Sequence, residues 1–409
     1  MSSELLRRLY PSVIAKLLGL TRSVPDAEDV VQDAIERALV AWPRDGEPEN
    51  PEAWLVTVAS NCYRDRLRRS KRVERHRDAV ALLAEMSPWI RIAVGHPDIA
   101  RGWKDELLAL VFACCHPALD TGESAALALA TVIGMSTTEI AAAFVVAPRT
   151  MEQRLTRARL RLREHGDPDG APPELALDRL DAVLRVLYLL FNEGYWSTDD
   201  EAPIRSDLCR LAIGLARSLQ ATYPSAGEVV GLSCLMQFHD ARRAARLDEG
   251  GAPVPLPEQD RSRWDVDAIE EAAALLERTL ATGPAGPFLI EAAISALHSR
   301  APTAASTDWK QIAELYRILE PLRPTPAVRV NRAFAVSQAE DPASALALLD
   351  EIHADSYPYA PLVRGVLLAD LGRVDEARTE LARAEQLARN PHEARQIRSR
   401  IRRLENRNT

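Results

Sequence analysis

Residues 150–163 constrain the fold of this chain more tightly than any other stretch. Met151, Leu155, Ala158 and Leu162 recur at spacings of four, three and four, which only a helix with one buried stripe satisfies. The other positions are basic: Arg149, Arg154, Arg157, Arg159, Arg161 and Arg163 stand against a single Glu152, so residues 149–163 carry a net +5. Upstream, GMSTTEIAAAF predicts a short helix begun by Ser136 or Thr137, with the Glu139 carboxylate complementing the free N–H groups of the first turn. Between the two, VVA and Pro148 predict a turn, because the residue before a proline is pushed out of helical backbone space. Two short helices joined tightly, the second apolar on one side and arginine-rich on the other, are what a helix-turn-helix needs to enter a DNA major groove.

The rest of the chain is patterned for helices. Gly and Pro fall mainly between long Ala/Leu/Arg/Glu runs and Val/Ile/Tyr alternation is scarce, so the expected class is all-α, with 409 residues giving room for two to four domains. No apolar run reaches the roughly 18 residues of a membrane span, and MSSELLRRLY lacks the apolar core of a signal peptide, so the expected location is cytoplasmic. Five cysteines without paired spacing fit reduced thiols. Cys114, Cys115 and His116 read as core rather than as metal ligands, since adjacent cysteines do not both face one tetrahedral ion and no second ligand pair completes a site. Glu193, Asp199, Asp200, Glu201, His239 and Asp240 could supply acid/base pairs, but no nucleophile, phosphate loop or metal spacing accompanies them. The expectation is therefore no catalytic site, no metal and no cofactor.

Charge is unevenly placed. Residues 1–165 hold 23 Lys and Arg against 22 Asp and Glu, a net +1, whereas the remainder holds 28 against 37, a net −9. In the first half the positives gather twice, at residues 149–163 and at 61–75, where NCYRDRLRRSKRVER has seven basic residues against Asp65 and Glu74. Ahead of that second cluster, residues 4–20 predict an amphipathic helix. AEDVVQDAIERALVAW, from Ala27 to Trp42, predicts another, with Glu28, Asp29, Gln32, Asp33 and Glu36 on its polar face. Ala53–Ser60 predicts an apolar helix carrying Trp54 and Val58 that runs into the basic stretch. Two basic elements on a chain that is acidic as a whole fit phosphate contact at two places.

AEDVVQDAIERAL, PEAWLVTVASNCYRDRLRR and TMEQRLTRARLRLRE, in that order, resemble regions 2 and 4 of extracytoplasmic-function sigma factors, the small promoter-recognition subunits of bacterial RNA polymerase. VFACCHPALD, VLYLLFNEGYW, QFHDARRAARLDEGG, EQDRSRWD, TDWKQIAELYRIL and NRAFAV resemble the subgroup with a long helical C-terminal extension of tetratricopeptide type. The resemblance implies region 2 over 1–75, a linker over 76–103 threading toward the polymerase channel, region 4 over 104–165, and an extension over 172–300 followed by repeats over 301–409. It implies that Asp29, Gln32 and Asp33 dock on the β′ clamp helices of core RNA polymerase and that region 4 meets the β flap. It further implies that Asn61, Arg64, Asp65 and Arg68 capture the melted minus-ten strand, and that Arg149, Thr150, Gln153, Arg154 and Arg157 read the minus-thirty-five element. Many members have a small, Gly-containing turn before the recognition helix where this chain has Pro148 and Arg149. The alternative reading is a helix-turn-helix regulator with a repeat domain that acts without polymerase.

In the second half, Asp178–Phe191 predicts a helix apolar on most sides, with Gly194 expected at its C-terminal end. GGAPVPLPEQD, residues 250–260, is the clearest internal break. Helices are expected over 267–280, 287–298, 309–319, 327–339, 343–352, 358–371 and 375–388. Gly365, Gly372, Ala377, Leu381 and Ala384 fall at tetratricopeptide offsets, and Ala333, Ala345 and Leu349 precede Gly365, Ala377 and Leu381 by one period of 32 residues. Stacked pairs of this kind form a concave surface for a protein or peptide partner, so the extension reads as an interaction or control module.

Overall fold

The computed structural model describes residues 3–73, 99–144, 146–165, 177–195, 205–248, 254–350, 357, 359–388 and 391–407. Among them there is no β-strand, and the helices follow the apolar periods closely. The linker expected over 76–103 falls mostly outside the described residues, which resume with a helix at Ile99. Asp199, Asp200 and Glu201 also lie outside them.

The chain divides into two packing units, one running to Tyr195 and including Ser206–Thr222, the other from Tyr223 onward. The first unit opens with α1 (Ser3–Thr21), α2 (Val24–Asp45) and α3 (Pro51–Val73), which pack on one another. Ser23 caps α2 by accepting the Asp26 N–H at 3.3 Å, with Pro25 in the first turn where a missing N–H costs nothing. Val30, Val31, Ala34 and Ala38 of α2 are fully buried, and Trp42 meets Trp54 of α3 edge-on at 5.3 Å. Next come α4 (Ile99–Cys114), α5 (Thr121–Val132), α6 (Thr137–Ala143) and α7 (Pro148–His165). Asp120 and Glu123 form a reciprocal capping box at the start of α5. Ser136 and Glu139 do the same for α6, which settles the cap on Ser136. Pro148 is the first residue of α7 instead of lying outside it, since its fixed φ suits a helix start.

Helices α8 (Leu180–Tyr195) and α9 (Ser206–Thr222) complete this unit. They pack on each other and both pack on α4, while α8 also packs on α5. α5 is apolar on nearly every side, with Ala125, Ala126, Leu127, Ala128 and Leu129 all buried, so it needs covering all round. Gly194, expected to end α8, is buried one residue inside it, so the helix closes on Tyr195, whose ring stacks on Phe191 at 5.5 Å. Cys114 and Cys115 lie in the core, and burial drives both thiols well above their ordinary range. His116 accepts the Ala118 N–H at 3.1 Å through Nδ1.

The second unit stacks α10 (Gly227–Ala241), α11 (Val266–Leu280), α12 (Pro287–Arg300), α13 (Trp309–Leu322), α14 (Pro326–Ala339), α15 (Pro342–Asp350), α16 (Ala360–Asp370), α17 (Val374–Gln386) and α18 (Pro391–Arg407), each against its neighbours in sequence. The final helix was not anticipated from the sequence. Ala333, Ala345, Leu349, Ala377, Leu381 and Ala384 are buried. At Gly365 a Cβ would lie 2.8 Å from Leu381 Cγ, so the absence of a side chain is what lets α16 approach α17. Gly231 is tighter still, with a Cβ 2.5 Å from Leu289 N and 2.7 Å from Phe288 C, both backbone atoms that cannot swing aside. Gly231→Ala should therefore force α10 from α12 and destabilise this unit by about 1–3 kcal/mol. A urea midpoint equal to that of the parent chain would contradict it.

Candidate nucleic-acid interface

The basic second helix of the helix-turn-helix is α7, and its apolar stripe is buried: Met151 and Ala158 are fully enclosed, Leu155 and Leu162 nearly so. Burial of that stripe fixes where every arginine can go. Arg149, Thr150, Gln153 and Arg157 form an exposed face, and Arg157 Nε donates to the Gln153 carbonyl at 3.4 Å. Arg154 is half-buried, its guanidinium over the Phe144 ring at 5.6 Å, which holds it against the turn between the two helices.

The remaining arginines of α7 are differently employed. Arg159 donates to Glu28 through Nε at 2.6 Å and Nη2 at 2.9 Å; Arg161 reaches Glu123 at 2.5 Å; Arg163 reaches Asp29 at 2.7 Å. The basic face is thus divided, one half free for an outside partner and one half bound to carboxylates of α2 and α5. Glu28 and Glu123 are the most enclosed of these carboxylates, with side chains 8% and 5% exposed. Thr131 Oγ1 also donates to Glu28, at 3.2 Å. Burial pushes the Tyr10 hydroxyl far above its usual range, and the nearby Glu28 charge adds to that.

A second clamp ties the N-terminal helix to α6. Arg7 donates to both oxygens of Glu139, at 2.7 and 2.6 Å, and to the Gly134 carbonyl at 3.0 Å. Partial burial pushes the Glu139 carboxyl up, but hydrogen bonds from Arg7 and Ser136 outweigh it and hold the carboxyl at about 2. A carboxyl depressed in the folded state lends stability that is complete above its unfolded range and is lost as pH falls through the folded value. Acid unfolding of the parent chain should accordingly draw on Glu139 between about pH 4.5 and 2. Glu139→Gln should flatten the pH dependence of the melting temperature in that window, and an unchanged profile would speak against the clamp.

On the adjoining domain, Gln32 is exposed on α2, while Asp29 and Asp33 are partly exposed and shared with Arg66 of α3, at 3.4 and 2.8 Å. Asp33, Glu36, Arg37, Val40, Cys62, Asp65 and Arg66 line an open depression of about 520 Å³ between α2 and α3. Val40, which lines it, and the neighbouring Leu39 are 74% and 53% exposed, unusually so for apolar residues on a well-buried helix. Asn61 and Arg64 are exposed one turn apart, with Arg64 Nη1 donating to Asn61 Oδ1 at 3.2 Å. Asp65 is partly buried on the same helix, and Arg68 lies on α3 with its side chain outside the described residues. Glu28, expected on the polar face of α2, is instead buried because it pairs with Arg159 and Thr131, a pairing the sequence did not point to. The only available signal was a carboxylate next to the buried edge of α2 and an arginine flanking the α7 stripe.

A helix-turn-helix with an outward basic face, packed beside a three-helix domain with acidic and basic surfaces, is the build of a transcription factor that binds DNA. Residues 5–73 match the family described as Sigma-70 region 2, residues 109–162 match Sigma-70, region 4, and residues 179–280 match a family of unknown function (DUF6596). The chain is 40% identical over 394 residues to an uncharacterized protein of Rhizobium meliloti (strain 1021), covering 96% of this chain and 93% of that one. It is 31% identical over 148 residues to the RNA polymerase sigma factor CnrH of Cupriavidus metallidurans, covering 36% of this chain and 75% of that one. No solved structure matches. The chain belongs to the sigma-70 family, in its extracytoplasmic-function branch, and carries a helical C-terminal extension. Among the described residues no helix is long and apolar enough to cross a membrane.

Proposed function

We propose that this chain binds core RNA polymerase, directs it to specific promoters and helps to open them, with its C-terminal extension setting its activity. The observation that carries the reading is the pairing, within one family-matched unit, of an exposed Asn61–Arg64 face on α3 with the exposed face of α7. In this reading Asn61, Arg64, Asp65 and Arg68 hold the minus-ten strand. An asparagine can pair with a base edge, and arginines can clamp the phosphates of a strand whose bases are unstacked. Arg149, Thr150, Gln153, Arg154 and Arg157 enter the major groove of the minus-thirty-five element, Arg154 placed by its Phe144 contact.

Asp29, Gln32 and Asp33 meet the β′ clamp helices, and the exposed Leu39 and Val40 give that contact an apolar margin. Because Asp29 and Asp33 are already paired with Arg163 and Arg66, docking exchanges one set of partners for another. Region 4 meets the β flap, and the second unit offers its helical stack to a protein or peptide. The RNA chemistry belongs to polymerase.

In vitro transcription with purified core polymerase on pooled genomic promoter fragments tests the reading. Transcripts of defined start should appear only when the protein is added, and Asn61→Ala with Arg64→Ala should abolish them while leaving core binding intact. Failure to produce any polymerase-dependent transcript would turn the reading toward a regulator that binds DNA alone.

A further inference from the structure

The last helix, α18, is basic in a part of the chain that is otherwise acidic. Residues 166–390 hold 22 Lys and Arg against 35 Asp and Glu, a net −13, while residues 391–407 hold six arginines against Glu393 and Glu405, a net +4. Its apolar side is fixed: Ile397 is buried, and Ile397, Ile401 and Leu404 pack with Leu362, Leu381 and Ala384 of α16 and α17. That docking leaves Arg395, Arg398, Arg400, Arg402 and Arg403 exposed. Arg398 makes one ion pair, with Glu385 at 2.8 Å, and remains 51% exposed.

A terminal helix of a stacked array needs a polar outer face, but either sign of charge would serve. Here positive charge prevails, and it is carried by arginine with no lysine. Arg395, Arg398 and Arg402 follow an i, i+3, i+7 spacing, a stripe about 10 Å long that flanks the face carrying Ile397, Ile401 and Leu404. Guanidinium forks match phosphate oxygens in pairs. The helix contains no Phe, Tyr or Trp, so it lacks the large aromatic platforms that stack successive unpaired bases and that centre a protein interface.

We infer that the exposed arginine stripe of α18 is a contact surface for the phosphate backbone of duplex DNA, independent of base sequence. The choice of DNA as partner rests on the proposed function. The contact itself lies outside the two family-matched DNA-binding regions and does not require that either of them read a promoter.

The test uses the full-length chain and a short fluorescent duplex of arbitrary sequence, with affinity followed by anisotropy across a potassium chloride series. Each phosphate neutralised contributes about 0.9 to the slope of log affinity against log salt. The triple variant Arg395→Gln, Arg398→Gln, Arg402→Gln should lower that slope by about 2 to 3. A second variant, Arg317→Gln, Arg373→Gln, Arg378→Gln, removes the same charge from exposed arginines elsewhere in the unit and should leave the slope as it was. Thermal melts check that both variants stay folded.

An unchanged slope in the first variant would overturn the inference and turn attention to an acidic protein as the partner of α18. An equal fall in both variants would overturn it too, since only net charge would then matter. Arg154→Gln with Arg157→Gln is measured alongside. Loss of promoter-directed transcription there, with the α18 slope effect absent, would separate failure of this inference from failure of the sigma reading.

Discussion

A chain cut at residue 170 should aggregate or melt far below the parent, whereas one cut at residue 224 should fold. The cut at 170 follows the end of the arginine-rich helix, yet it strips α8 and α9 from α4 and α5. Val183, Leu184, Val186, Leu187, Leu190 and Phe191 of α8 are all buried, and so are Leu208, Leu215 and Leu219 of α9. Exposing one large apolar side chain costs about 1.5–3 kcal/mol, and removing α8 uncovers the facing residues of α5 as well. Three or four such losses match the whole stability of a domain, about 5–15 kcal/mol. Circular dichroism melts of the two truncations decide the matter, and a cooperative transition for the shorter one within a few degrees of the longer would refute the expectation. Any assay of the extension's control over transcription therefore needs the longer piece as its comparator, because silence from the shorter one would report only on folding.

Arg159→Ala should destabilise the fold far more than Ala at Arg149 or Arg157. Those two arginines face outward, whereas Arg159 is the main partner of a carboxylate that is 8% exposed. Removing one member of a buried pair leaves the other charged without compensation, at about 3–5 kcal/mol. Glu28→Gln should cost less, since an amide can still accept from Thr131 and Arg159. Glu28→Leu combined with Arg159→Met should recover most of the loss, because two apolar residues of similar volume no longer require desolvation of charge. Urea unfolding of the parent, Glu28→Leu, Arg159→Met and the double variant gives the coupling energy, and additive single effects would show that the pair is not coupled.

Much of this was legible in the sequence. The α7 stripe of Met151, Leu155, Ala158 and Leu162 is buried as its spacing required, and the order of acidic helix, basic helix and helix-turn-helix identified the family. Periodicity says which side of a helix is buried and says nothing about what a charged flank will meet. Arg159 and Arg163 find partners more than 130 residues away, so their pairing could not be separated from the exposure of Arg149 and Arg157. The extension implied from residue 172 does not coincide with a packing boundary: α8 and α9 belong with the helices before it because α5 needs cover on all sides. Helix α18 escaped notice because Ile397, Ile401 and Leu404 are few among many arginines, and only the face already offered by Leu381 and Ala384 makes them a stripe.

The five cysteines have a practical consequence. Cys62, Cys114, Cys115, Cys209 and Cys234 are all buried. Burial raises the Cys62 thiol and drives Cys234 up to about 12, so little of either is the reactive thiolate near neutral pH. An alkylating probe should pass over the native thiols of the folded chain and take a single cysteine introduced at the surface, with no need to remove the others first. The slow reaction of the five would then serve as a clock for spontaneous opening, timing separately the unit that holds Cys62, Cys114, Cys115 and Cys209 and the unit that holds Cys234.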